Sequence, residues 1–203
     1  MQGANITERG RATRQRIIEA TGREILASGI GGTTLDTVRA ATLTSKSQLF
    51  HYFPGGKAEL VREVAIWEGG ELLAAQKPYI DDLSSWESWH AWRDALVDYY
   101  IGLGRWACPI GSMATQAAMT DPELAQVITD SMTNWRLSLA SGVAKMQSAG
   151  EVESDADPQR IAVAILAALQ GGLILSQPEK SSWPLEAAID AAMDVLHKVA
   201  HES

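Results

Sequence analysis

Cysteine is nearly absent: Cys108 is the single thiol in 203 residues. An internal disulfide framework is thereby excluded, and a reducing cytoplasm is the expected setting. No apolar run is expected to reach the roughly 18 residues of a membrane span. The opening MQGANITERGRATRQR is polar and basic with no apolar segment behind it, so no secretory signal is expected. Alternation of strand type is missing, as are repeats and low-complexity tracts. A phosphate-binding loop is excluded as well. Gly56-Lys57 has His51 where the earlier glycine would stand and Ala58 where Ser or Thr would meet magnesium. Basic charge is also in short supply, 17 Lys and Arg against 25 Asp and Glu, for a net −8.

The charge is unevenly spread. Residues 1–60 hold eight basic and five acidic side chains, whereas residues 61–203 hold nine and twenty. A basic end on an acidic body fits a chain that touches a polyanion at one end only. Apolar spacing is helical throughout. Ile18, Thr21 and Ile25 mark a helix of about 9–28 closed by Ser28-Gly29, and Thr33 or Thr34 caps a short second helix with Leu35 and Val38. A turn at Thr42–Thr44 leads to Ser45, the N-cap of a third helix ending near Tyr52. Pro54-Gly55-Gly56 stops it, and Lys57 opens a fourth through about Ala75. Five more helices are expected at about 86–104, 111–119, 122–149, 158–176 and 184–200, several with proline near their first turn. The fold class is all-α. A three-helix head over residues 1–56 precedes a larger helical domain over 57–203, with the helix from Lys57 joining them.

The stretch TSKSQLFHYFPGGKAEL carries the chemistry. Two short helices joined by a tight turn are a helix-turn-helix, whose second helix enters the major groove. Leu49 and Phe53 lie one turn apart and pack inward with Val38 and Ile18, turning Lys46, Ser47, Gln48 and His51 outward. Gln pairs bidentately with adenine, Lys bonds guanine, and Ser adapts to either. Tyr52 and Lys57 stand where phosphates pass, Lys57 beside the positive N-terminus of its own helix. Catalysis lacks support, because Ser47 and His51 share a face with no nearby carboxylate to orient the imidazole.

From Thr13 to Ala65, TRQRIIEATGREILASGIGGTTLDTVRAATLTSKSQLFHYFPGGKAELVREVA resembles the DNA-binding head of the tetracycline-repressor (TetR) family. Its T-x-x-x-[IV] second helix, SK-x-x-[LI]-[YF]-x-YF third helix and following lysine all keep their spacing. GRWACPIGSMATQAAMTDPELAQ and ALQGGLILSQ resemble the LmrA/YxaF-type branch of that family. The resemblance implies a homodimeric repressor released from double-stranded operator DNA when a small molecule enters the C-terminal domain. By position it puts Thr34 at the backbone, Lys46, Ser47, Gln48 and His51 in the groove, and Tyr52 and Lys57 on phosphates, and the Ser45 cap counts with them as a DNA-binding residue. One position departs from the family pattern. Leu43 stands in the turn where glycine commonly supplies a positive φ.

In the acidic domain Trp89, Trp92, Tyr99, Trp106, Met113 and Trp135, with Trp67 from the fourth helix, suit a pocket for a flat apolar effector. Gln116, Asn134 and Gln170 are its candidate polar anchors. The same residues serve equally as core, and both readings stand at this level; Trp86, Tyr100, Met119 and Met132 belong to the same group. The last two long helices, about 158–176 and 184–200, are rich in small and aliphatic residues. They suit a four-helix interface between two copies, with Leu169 and Leu173 in it. Glu87-x-x-His90 and Asp194-x-x-His197 have the spacing of di-iron ligands but lack the further carboxylates such a site needs. Cys108 reads as a small buried hydrophobe, or as a thiol activated by Arg105. His197 and His201 read as a solvated helix end. No cofactor, metal or catalytic group is expected. A helical enzyme or metal protein built on Glu87 and His90 is the alternative, and a DNA-binding protein without effector is a third reading.

Overall fold

In a computed structural model of the chain, residues 7–104, 106–117 and 121–198 are described, residues 117 and 198 by backbone alone. Arg105, Met119 and His201, and the expected helix ends at 119 and 200, lie outside them. Among the described residues all longer regular structure is α-helical: α1 (Glu8–Gly32), α2 (Leu35–Thr42), α3 (Lys46–Tyr52), α4 (Gly56–Ala74), α5 (Trp86–Leu103), α6 (Pro109–Ala117), α7 (Pro122–Ser148), α8 (Pro158–Glu179) and α9 (Trp183–Lys198). One turn of 3-10 helix, Tyr79–Asp81, lies between α4 and α5.

The helices divide into two compact units. The first comprises the chain up to Gly69 together with Ser112–Thr129; the second comprises Gly70–Gly111 and the chain from Asp130. In the first unit Ile17, Ile18, Ile25, Val38, Leu49, Phe53, Leu60 and Val64 are buried. Gly22 allows α1 and α4 to approach closely, since a Cβ there would stand 2.8 Å from Glu68 Oε1. Arg14 ties the same pair, meeting Glu63 at 2.7 Å while its guanidinium lies 5.1 Å from the centre of the Phe53 ring. Gly29 breaks α1 at φ 71° and ψ 170°, where the sequence suggested closure. The break leaves the Ile30 amide without a helical partner, and Gln116 Oε1 accepts from it at 2.8 Å.

In the second unit α8 and α9 pack against each other, and Gly172 makes this possible. A Cβ on Gly172 would lie 2.8 Å from Leu185 Cα and 3.0 Å from the Pro184 carbonyl oxygen, both backbone atoms that cannot yield. Arg93 of α5 reaches Asp190 of α9 with Nε at 2.8 Å and Nη2 at 3.0 Å, a two-pronged pair.

Four expectations need correction. First, α6 begins at Pro109 rather than residue 111, because proline at the first helical position forfeits only an amide that would be unpaired anyway. Second, α8 does not stop before Pro178. Proline in a last turn removes one bond, and the helix runs to Glu179 before Lys180 ends it at φ 51°. Third, Leu169 and Leu173 are buried within their own chain; the outward residues of α8 are Val163, Ile174 and Leu175. Fourth, α8 reaches membrane length by composition, with mean hydropathy 1.7 despite the interruption at Gln170. Its buried stripe of Ile161, Ile165, Leu169 and Leu173 is covered by the chain itself.

Candidate nucleic-acid interface

The α2–turn–α3 segment is held by hydrogen bonds from its own side chains. Thr34 caps α2, its hydroxyl accepting from the Thr37 amide at 3.1 Å while Thr37 Oγ1 accepts from the Thr34 amide at 3.2 Å. Ser45 and Gln48 make the same reciprocal pair on α3, at 3.1 Å each way. Each cap satisfies two amides that a helix start leaves unpaired. Between them Leu43 sits in the left-handed region at φ 52° and ψ 36°, 93% exposed. The Leu43 and Thr44 amides both donate to the Arg39 carbonyl, which closes α2 and sets the turn. A leucine in this conformation carries roughly 1–2 kcal/mol of strain that glycine would not.

Leu49 and Phe53 fix the rotation of α3 by burying completely, and Lys46, Ser47, Gln48, Phe50 and His51 are left exposed. Tyr52 is half-buried with its ring edge-on to His51, centroids 5.1 Å apart. Lys57 is half-buried in the first turn of α4, where Glu59 accepts from the Gly55 amide at 2.6 Å. It borders a cleft of about 300 Å³ with Ile30, Ala58, Val61, Asp121 and Leu124, all within the first unit. Arg62 closes the neighbourhood by meeting Glu123 at 3.1 Å and Asp121 at 3.5 Å.

The residues suggested for an effector fall in different places. Trp67, Met113 and Gln116 belong to the first unit; Trp89, Trp92, Tyr99, Trp106, Trp135 and Gln170 belong to the second. Met113 is buried, Trp67 half-buried, and Gln116 exposed with its amide engaged at Ile30 and at the Ser112 carbonyl. Asn134 is exposed as well. In the second unit the Trp92 and Trp135 indoles both donate to Gln76 Oε1, at 2.7 and 3.0 Å, with all three side chains buried. Gln76 escaped the sequence reading, since a lone glutamine after a helix gives no sign of partners 16 and 59 residues away. Trp89 Nε1 is a buried donor without an acceptor, while the Gln170 side chain hydrogen-bonds the Cys108 thiol. Tyr99 and Trp106 are half-buried. Burial pushes the Cys108 thiol up, which opposes the thiolate an oxidation sensor needs.

Residues 90–191, half of the chain, match the family described as transcriptional regulator LmrA/YxaF-like, C-terminal domain. The chain belongs to the LmrA/YxaF-like branch of the TetR family. An HTH-type transcriptional regulator in the lacX 3′ region of Lactococcus lactis subsp. lactis is 23% identical over 199 residues, covering 95% of this chain and 97% of that protein. HTH-type transcriptional regulator LmrA of Bacillus subtilis is 23% identical over 197 residues, covering 92% and 97%. Among solved structures, regulatory protein TetR from Rhodobacter sphaeroides shares the fold with a TM-score of 0.81 at 17% identity, over 91% of this chain and 98% of that one. A TetR-family regulator from Cytophaga hutchinsonii does so at 0.78 and 21%, over 98% and 100%.

TetR-family regulators bind operator DNA, dimerise and respond to small-molecule effectors. They are not enzymes, which disposes of the helical-enzyme alternative. His90 is exposed, its Nδ1 lying 2.7 Å from the Trp86 carbonyl oxygen, and Trp86 stacks on His197 with ring centroids 3.7 Å apart. Among the described residues no three His, Cys, Asp or Glu side chains converge as metal ligands.

Proposed function

We propose that the chain is a cytoplasmic repressor that occupies its operator as a dimer and leaves it when a small apolar, aromatic effector binds. The observation that carries this reading is the capped, outward face of α3: Lys46, Ser47, Gln48 and His51 exposed above the fully buried Leu49 and Phe53. A helix so fixed offers base-reading groups at low entropic cost. Residues 1–56 serve DNA, Thr34, Tyr52 and Lys57 meet its backbone, and residues 57–203 serve the effector and the second copy. The effector reading is supported by the aromatic side chains of the second unit and by an unpartnered indole donor among them. Trp89 Nε1 favours a ligand that carries a hydrogen-bond acceptor.

The Ser45–Gln48 pair changes how the DNA contacts are tested. Gln48 Oε1 already accepts from the Ser45 amide, so Gln48→Ala removes part of a cap worth about 1 kcal/mol as well as a base contact. Lys46→Ala is the cleaner probe. It is expected to lower affinity for the operator by roughly 1–3 kcal/mol and to relax specificity at one position. Lys57→Ala is expected to weaken binding to every sequence alike and to reduce the salt slope by about 1. Mobility shifts on DNA flanking the gene, at several salt concentrations, decide both. Unchanged affinity in both variants would remove α3 and Lys57 from the interface.

The effector arm uses the same assay with a panel of apolar aromatic compounds. α4 is one helix carrying Lys57 in its first turn and Leu72 near its last. A ligand that prefers one setting of α4 alters where the two heads stand on successive half-sites. Operator and effector must then weaken each other's binding by the same factor, typically about 1–3 kcal/mol. The inducer is expected to quench tryptophan fluorescence and to lose affinity by that factor when operator is added. A compound bound equally well with and without DNA is not the inducer, and a panel with no binder returns the aromatic residues to the core.

A further inference from the structure

Phe50 stands among the exposed polar residues of α3 and is 40% exposed. The core-facing positions of the helix are already taken by Leu49 and Phe53, so its ring is not spare core. Lys46 and Ser47 precede it by four and three residues and share its face. One edge of the ring rests at the start of α4, where a Cβ on Gly56 would lie 3.6 Å from Phe50 Cε1. The ring thus has the start of α4 on one side and is open on the other. Phenylalanine carries no group that bonds a phosphate or a base edge. An apolar ring flanked by Lys46, Ser47 and His51 needs an apolar feature embedded in a polar, anionic surface. In the major groove that feature is the C5 methyl of thymine.

We propose that Phe50 is a specificity-determining residue that reads a thymine methyl group in the operator's major groove. The inference rests on α3 being the groove helix and adds an apolar contact to its polar ones. Desolvating one methyl-sized group is worth about 0.8 kcal/mol, close to a fourfold change in affinity.

The test begins with selection of the full-length protein's preferred duplex from a random library. Each thymine of that duplex is then replaced singly by deoxyuridine, which differs only in lacking the C5 methyl. Wild-type protein is expected to lose about fourfold in affinity at one or two positions. Phe50→Ala is expected to bind thymine and deoxyuridine probes alike there, with its salt slope unchanged because no phosphate contact is lost. Phe50→Leu, which keeps an apolar side chain and preserves the fold if alanine does not, is expected to retain part of the discrimination. A duplex with no uracil-sensitive position overturns the proposal, and so does a Phe50→Ala protein that keeps the wild-type ratio. A library that enriches no sequence is a separate outcome: it removes the operator reading itself, and this inference falls with it.

Discussion

Gln76→Leu is expected to destabilise the protein by about 2–6 kcal/mol. Leucine preserves most of the side-chain volume, so the cost comes from hydrogen bonds rather than from a cavity. Gln76 Oε1 accepts from Trp92 Nε1 at 2.7 Å and from Trp135 Nε1 at 3.0 Å, and the substitution orphans both indoles in a site closed to water. A buried donor left unmade costs about 1–3 kcal/mol, and here there are two. A third bond goes as well. Gln76 Nε2 donates at 2.8 Å to the Leu72 carbonyl, an acceptor in the last turn of α4, while the Glu71, Leu73 and Ala74 carbonyls are met by the Ala75, Gln76 and Lys77 amides. The side chain therefore finishes α4 and joins it to α5 and α7 within one unit. Against a typical total stability of about 5–15 kcal/mol the loss is severe. Urea unfolding followed by tryptophan fluorescence measures it. Gln76→Leu combined with Trp92→Phe should cost less than the two changes summed, because each removes part of the same network. A midpoint within experimental error of wild type would mean that the indoles do not depend on Gln76.

Much of the first unit was legible because its determinants are local. Thr34 and Ser45 cap helices through residues three positions on, and the one-turn spacing of Leu49 and Phe53 fixes which face of α3 is inward. Leu43 showed its positive φ through the glycine it replaces. Long-range pairs were not legible. Nothing near Gln116 in the sequence points to the Ile30 amide 86 residues away, and nothing near Gln76 points to two indoles. Phe50 was passed over for a different reason: its neighbours are polar, and attention to hydrogen-bonding groups in the groove hides an apolar one. Periodicity also fails on helices that are apolar on most sides. In α8 it could not tell the stripe carrying Leu169 and Leu173, which packs within the chain, from the stripe carrying Val163, Ile174 and Leu175, which does not.

That distinction determines where a second copy would sit, and Ile174→Arg is expected to abolish both the dimer and operator binding. In the single chain Ile174 is 69% exposed, Leu175 59% and Val163 51%, and α9 adds the exposed Val195. With the exposed alanines at 164 and 167, α8 presents an apolar stripe that a second copy would cover. A two-fold axis uses the same patch on both partners, so every substitution there acts twice. An arginine buried without a partner at such an interface costs about 3–5 kcal/mol. The dimer carries two such arginines, about 6–10 kcal/mol together, which at about 1.4 kcal/mol per tenfold is roughly four to seven orders of magnitude in dimer affinity. Operator binding follows the dimer down, since a lone head makes only one half-site's contacts. Helicity should stay at the wild-type level because Ile174 packs little within its own chain. Leu169→Arg provides the contrast: Leu169 is fully buried, so that variant is expected to unfold rather than to dissociate. Light scattering at micromolar concentration, circular dichroism and mobility shifts separate the two outcomes. A folded Ile174→Arg protein that remains a dimer and holds its operator would place the interface elsewhere. A wild-type protein that runs as a monomer would remove the interface altogether.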